Sequence, residues 1–183
     1  GKSYSLHVMQ PGVVLGPVYT KAHTKASTVL VREMLYQNAM LNYMCTFVDV
    51  RDVAEAHVEA LERHASASGR FLLLGDSPAM RTTDLGPIAA AVLPDYETRA
   101  VEKYPPWKFQ LLRVLSFLPL VGNLVMSDFE RICFERPVHF SNKRSKEILG
   151  MSFRPLEETV RDSAISMIEG GFVKPKLKAK ESA

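Results

Sequence analysis

A chain of 183 residues with 46% hydrophobic and 23% charged side chains can bury a sizeable core as one domain, and it is neither a disordered polyelectrolyte nor a fibrous repeat. The formal net charge is only +3, and much of the basicity sits in Lys174, Lys176, Lys178 and Lys180 at the end, so no nucleic-acid-binding face is expected. The longest apolar stretch, Val114 to Met126, is broken by Ser116, Pro119, Gly122 and Asn123 and falls short of the roughly twenty residues a membrane span needs.

In chain order, an apolar strand carrying Leu6 and Val8 is predicted to stop at Pro11-Gly12, where proline ends the ladder and glycine admits the angles of a tight loop. The triplet Val13, Val14, Leu15 follows and is closed by Gly16-Pro17. Val18 to Lys25 reads as a polar, basic loop. Ala26-Ser27-Thr28 then leads into Val29, Leu30, Val31, Met34 and Leu35, which recur at helical spacing. Tyr43 to Val48 is a strand candidate. Arg51 to His64 is the clearest helix, with Asp49 and Asp52 at its positive end and an apolar face expected from Val53, Ala54, His57, Val58, Ala60 and Leu61.

Ser66 to Gly69 is a turn, and Arg70 to Gly75 reads as a buried strand. Thr83-Asp84 opens a helix running to about Leu93, where Pro94 stops it. This strand–helix alternation argues an α/β unit with a parallel sheet. From Glu97 the texture turns Pro-rich and aromatic, with an apolar helix predicted from Trp107 to Leu118. Asn142 to Leu149 is a short helix with Ser141 or Asn142 as its N-cap and Gly150 as its C-cap. The last helix, Leu156 to Glu169, ends at Gly170-Gly171.

The ionisable residues suggest little chemistry of their own. Asp49 and Asp52 are best explained as helix-start acids and salt-bridge partners. His57 and His64 lie seven apart, not at the i, i+4 spacing of a metal-binding helix, so His57 is expected as a packed or capped core histidine and no metal site is expected. His7, His23 and His139 form no pattern. Cys45 and Cys133 form no metal-type pair and fit a reducing, cytoplasmic compartment.

The segments Val8-Met9-Gln10-Pro11-Gly12-Val13-Val14-Leu15-Gly16-Pro17 and Phe47-Val48-Asp49-Val50-Arg51-Asp52-Val53-Ala54-Glu55-Ala56-His57, in that order, resemble the C-terminal half of the extended short-chain dehydrogenase/reductases. The nearest look is to the dihydroflavonol reductase and cinnamoyl-CoA reductase branch. Gly69-Arg70-Phe71-Leu72-Leu73-Leu74-Gly75 resembles a late strand of that family. The run from Phe140 to Gly150, followed by Phe153-Arg154-Pro155-Leu156 and an acidic helix start, resembles its closing segment. The likeness extends from about Leu6 to Val173.

The resemblance implies the C-terminal part of a Rossmann-type doubly wound parallel sheet plus a mostly helical substrate-binding lobe. It divides the chain into residues 1–95 of a dinucleotide-binding domain, a substrate lobe over 96–173 and a disordered basic tail over 174–183. It implies NADP as cofactor, with NAD left open, and a small apolar or aromatic carbonyl compound as substrate. Pro11, Gly12, Val13 and Val14 correspond to the family's nicotinamide loop, and Ser27 to a position touching the cofactor's phosphate or ribose side. Trp107, Phe109 and Phe117 are candidates for the substrate pocket wall, or for plain core.

No Gly-x-x-Gly-x-x-Gly occurs, the chain opens at Gly1, and only ten residues precede Pro11. The family's catalytic Tyr-x-x-x-Lys is therefore expected upstream of Gly1. Tyr104-Pro105-Pro106-Trp107-Lys108 matches that pattern literally, but two consecutive prolines do not sit inside the helix that must align Tyr with Lys. The implied function is that of a fragment of an NAD(P)-dependent oxidoreductase reducing an aldehyde, ketone or acyl-CoA thioester, or oxidising the alcohol. The alternatives are an inactive remnant or interaction module, and a hydroxysteroid dehydrogenase or sugar-nucleotide epimerase of the same superfamily. A homodimer is left open.

Overall fold

The structure, a computed structural model, describes residues 6–40, 42–63, 68–102, 111, 114–115 and 139–178. Strand β1 (His7–Pro11) is followed after Gly12 by β2 (Val13–Leu15). The expected loop after Pro17 contains a 3-10 turn over Lys21–Lys25, and helix α1 spans Val29–Tyr36. Short strands β3 (Ala39–Met40), β4 (Met44–Cys45) and β5 (Phe47–Asp49) lead into helix α2 (Val50–Glu62). Strands β6 (Gly69–Leu73) and β7 (Met80–Arg81), a 3-10 turn over Thr82–Asp84, helix α3 (Leu85–Val92) and strand β8 (Val101–Glu102) follow. Helices α4 (Lys143–Leu149) and α5 (Leu156–Glu169) close the described chain.

The pairing is mostly parallel, as the strand–helix alternation requires. β1 runs parallel to β6 with Pro11 opposite Leu73, β2 parallel to β5 with Val14 opposite Val48, and β3 parallel to β8. The β4–β7 pair is antiparallel. Three backbone hydrogen bonds tie the first two pairs into one surface: Gly12 N–H to Leu73 O at 3.0 Å, Val13 N–H to Thr46 O at 2.8 Å, and Gly75 N–H to Phe47 O at 2.7 Å. The single strand expected over Tyr43 to Val48 is thus two strands broken at Thr46. Cys45 pairs antiparallel with Met80, whereas Phe47 pairs parallel with Val13, so Thr46 is where the chain changes partner.

Two apolar clusters hold the elements. Leu15, Val31, Met34, Leu35, Phe47, Leu85, Val160, Ala164 and Met167 join β2, β5, α1, α3 and α5 on one side. Val48, Ala56, Ala60, Phe71, Leu73, Leu149 and Phe153 join α2, β6 and α4 on the other. Val48 and Phe47 point into different clusters because successive strand residues face opposite sides of a sheet. Helices on both faces of parallel strands make this an α/β fold.

Helix α2 is rotated from the face its periodicity suggests. It buries Asp52, Ala56 and Ala60, while Val58 and Leu61 are 52% and 76% exposed. His57, expected in the core, is exposed, and its Nδ1 contacts Val53 O at 2.7 Å. The reason is electrostatic: the Asp52 carboxylate is drawn inward by Arg154, which binds it through both side chain and backbone N–H, and this sets the rotation of the helix. Residues 174–178, expected within a disordered tail, are paired with 95–97 through Glu97 N–H to Lys176 O at 2.8 Å and Lys178 N–H to Asp95 O at 3.0 Å. Backbone groups left unpaired by the loop after α3 find partners there. Among the described residues, no helix is long and apolar enough to cross a membrane.

Candidate functional site

The candidate site lies where β1 passes into β2, at the carboxyl ends of β1 and β6 and beside Thr46 at the start of β5; carboxyl strand ends are the edge at which open α/β sheets receive ligands. Pro11 is exposed, and Gly12, Val13 and Val14 are half-buried, so this stretch presents surface to a ligand. Its glycine serves the sheet. A Cβ on Gly12 would lie 2.6 Å from Thr46 O, 2.8 Å from Thr46 Oγ1 and 3.1 Å from a Leu74 methyl. The N–H groups of Gly12 and Val13 are both spent on neighbouring strands, so neither remains to donate to a carboxamide. What the stretch offers a flat ring is its exposed backbone and the Pro11 ring.

Ser27 is brought to this stretch. It sits two residues before α1, and its hydroxyl donates to the carbonyl of Val14. The sequence-predicted residues Pro11 to Val14 and Ser27 therefore share one locus, but the Ser27 donor is used to tie the loop rather than left free for a phosphate. Trp107, Phe109 and Phe117, and the Tyr104–Lys108 pattern, lie outside the described residues.

Two further features, not legible in the sequence, fix the loop from below. Gly16 has φ +128°, a conformation open to glycine, and a Cβ there would meet Val50 Cγ1 at 2.8 Å. Its N–H donates at 2.6 Å to Ser163 Oγ on α5, and the Val18 N–H donates at 2.9 Å to Ser166 Oγ. Ser163 passes its own proton to Thr159 O at 2.7 Å. The Thr159 hydroxyl donates at 2.9 Å to Asp49 Oδ2, beside β2 at the end of β5. Residues four apart on a helix share a face, so α5 sets Thr159 and Ser163 in one inward stripe.

Asp49 is the hub of this layer. It is 1% exposed, caps α2 by accepting the Arg51 N–H at 2.8 Å, and receives the Arg51 guanidinium on both oxygens at 2.9 and 2.7 Å. Burial opposes its ionisation, but the Arg51 and Thr159 hydrogen bonds outweigh it and hold the carboxyl below its ordinary range. The same contacts with Asp49 raise the already high pKa of Arg51, which also reaches Asp162 at 2.9 Å. Asp49 and Asp52 are thus helix-start acids with cationic partners, as the sequence suggests. Fully engaged in this way, neither is placed to move a proton.

No protein-family model matches the chain. It is similar to cinnamoyl-CoA reductase 2 of Arabidopsis thaliana, 30% identical over 174 residues that make up 94% of this chain and 43% of that protein. It is also similar to cinnamoyl-CoA reductase 1 of Oryza sativa subsp. japonica, 26% identical over 174 residues with the same coverage of each chain. Among solved structures it resembles Gre2 of Candida albicans in complex with NADPH, with a TM-score of 0.62 and 22% identity, covering 90% of this chain and 44% of that one. The chain therefore spans less than half the length of the relatives it matches. In sequence the chain is similar to the cinnamoyl-CoA reductases, and in fold to a reductase of known structure, in each case over less than half of the other protein's length.

Proposed function

We propose that this chain is the C-terminal half of an NADPH-dependent reductase that interconverts a small apolar or aromatic carbonyl compound and its alcohol. The observation that carries the reading is the junction at Gly12. An exposed Pro11 stands at the carboxyl ends of the parallel strands β1 and β6, and half-buried Gly12 to Val14 lead from it into β2, locked by Thr46 and Leu74 on one side and Ser27 on another. NADPH is favoured over NADH by the Gre2 likeness, since that protein was solved with NADPH.

In this reading Pro11 to Val14 lie against the nicotinamide and fix its orientation, and Ser27 holds the loop through Val14. The bound cofactor supplies a hydride to the carbonyl carbon. The proton on the resulting oxygen comes from a Tyr, its pKa lowered by a Lys, in a segment preceding Gly1. This chain contributes the nicotinamide-side surface and part of the substrate pocket. Trp107, Phe109 and Phe117 remain candidates for the pocket wall, residues 1–95 and 96–173 for the cofactor and substrate parts, and the protein is read as cytoplasmic. The decisive experiment is to sequence the transcript upstream of the Gly1 codon. An in-frame Gly-rich phosphate loop followed by Tyr-x-x-x-Lys is expected. A start codon adjoining Gly1 would overturn the reading in favour of an inactive remnant or interaction module.

A further inference from the structure

Beside the Gly12 junction lies a groove of about 550 Å³ whose walls include Thr46, Leu74, Asp76, Phe140, Asn142 and Lys146. It begins at residues that confine Gly12, because Thr46 and Leu74 both line it and both lie against a Cβ placed there. The groove therefore adjoins the stretch assigned above to the nicotinamide. Its ionisable lining residues are Asp76, His139 and Lys146.

The donors on the α4 side are not free. Lys146 Nζ lies 2.5 Å from Asp76 Oδ1, and Asn142 Nδ2 donates to the same oxygen at 2.9 Å and to Leu74 O at 2.8 Å. The Lys146 hydrogen bond is the main reason the Asp76 carboxyl is held below its ordinary range. Asp76 thus balances the lysine's charge and takes one of its three N–H donors. Phe140 at the rim is 56% exposed, an aromatic face with no cover among the described residues. Thr46 and Ser77 are, with Asn142, the neutral polar side chains of the wall.

We propose that Asp76 is a specificity-determining residue: by holding Lys146 and Asn142 it reserves this groove for the uncharged aryl or alkyl body of the carbonyl substrate and turns away substrates that carry a carboxylate. The inference rests on the reductase reading, which supplies the neighbouring nicotinamide. The exposed Phe140 face receives the apolar body. A carboxylate brought into the groove meets the Asp76 charge and finds Lys146 already paired. Both groups are partly exposed, so water screens the effect and the discrimination is modest.

The test is an amide-resonance titration of the nitrogen-15-labelled 183-residue chain with acetophenone, 4-acetylbenzoate and, separately, NADPH. Acetophenone is expected to shift Gly75, Ser77 and Asn142, and 4-acetylbenzoate to bind about threefold or more weakly, the scale of one exposed charge pair. In Asp76→Asn the carboxylate ketone should gain about threefold over acetophenone, and the double variant Asp76→Asn, Lys146→Ala should lose that gain. An unchanged ratio in Asp76→Asn, or shifts by neither ketone in the groove, overturns the inference. The NADPH arm reads the other proposal separately: contacts at Gly12 to Val14 without ketone discrimination sink only the role of Asp76. Absence of those contacts even at millimolar NADPH counts against the reductase reading itself.

Discussion

Ser163 on the last helix accepts the N–H of Gly16 at 2.6 Å, across 147 residues of chain and in a fully buried setting. The same hydroxyl donates to Thr159 O, one turn back. A helix near the C-terminus therefore holds the strand end that carries the candidate nicotinamide surface. Buried N–H groups are costly to leave unpaired, so this one contact couples helix position to loop position.

Ser163→Ala is expected to cost about 1–3 kcal/mol of folding stability, because it strands the Gly16 N–H in the interior. Urea unfolding measures it. Ser166→Ala, whose bond to Val18 is only partly buried, should cost less, and a Ser163→Ala chain as stable as the parent would mean that water replaces the hydroxyl.

Gly12→Ala places a methyl 2.6 Å from the Thr46 carbonyl oxygen, a backbone atom that cannot swing aside. Overpacking of this kind costs typically about 1–3 kcal/mol. The melting temperature should fall, and hydrogen exchange of the Val13 amide should quicken as its bond to Thr46 lengthens. Unaltered exchange at Val13 would show that the junction relaxes without parting the strands.

Acid should unfold the protein through Asp49. Its folded pKa lies below the unfolded one, so its ionised form contributes stability in full above about pH 4, and that contribution is lost as pH falls through the folded value. The melting temperature is expected to hold between about pH 5 and 7 and to drop below about pH 4. Thr159→Val, which removes one hydrogen bond from the carboxylate, should move the acid midpoint upward. An acid limb identical in the two proteins would assign the effect to other carboxylates.

Arg154→Ala leaves Asp52 buried without its cation. Asp52 is 0% exposed, and the guanidinium is its cationic partner from the segment before α5. Losing one partner of a buried pair costs about 3–5 kcal/mol, reduced here because Arg154 is one-third exposed, so a loss of about 2 kcal/mol is expected. Asp52→Asn in the Arg154→Ala background should recover part of it, and calorimetric unfolding of the three variants checks the order.

The 183-residue chain by itself should bind NADPH in the millimolar range and reduce no aromatic aldehyde. Much of the affinity of such folds comes from the pyrophosphate at a Gly-rich helix start, and this sequence holds no such loop. Isothermal calorimetry with NADPH, and absorbance loss with benzaldehyde, are the measurements. Micromolar binding would mean that Pro11 to Val14 and Ser27 contribute far more than a few contacts.

Periodicity and punctuation were enough to locate the helices α1, α2, α3, α4 and α5, since each is bounded by residues whose backbone chemistry is local: Thr28, Asp49, Pro94, Gly150, Gly171. The alternation of strands and helices likewise carried the α/β class, and the order of motifs carried the resemblance to the reductases. What local chemistry could not decide was every feature made by partners far apart in the chain. The rotation of α2 depends on Arg154, more than a hundred residues from Asp52, and so the apolar side chains Val58 and Leu61 ended outside while a carboxylate went in. The break at Thr46 depends on two different strands competing for adjacent residues. Nothing in the local sequence marks Thr159, Ser163 and Ser166 as inward-facing. Only the packing of α5 against β2 and β5 turns them inward, where a hydroxyl is tolerated because a buried N–H or carboxylate awaits it.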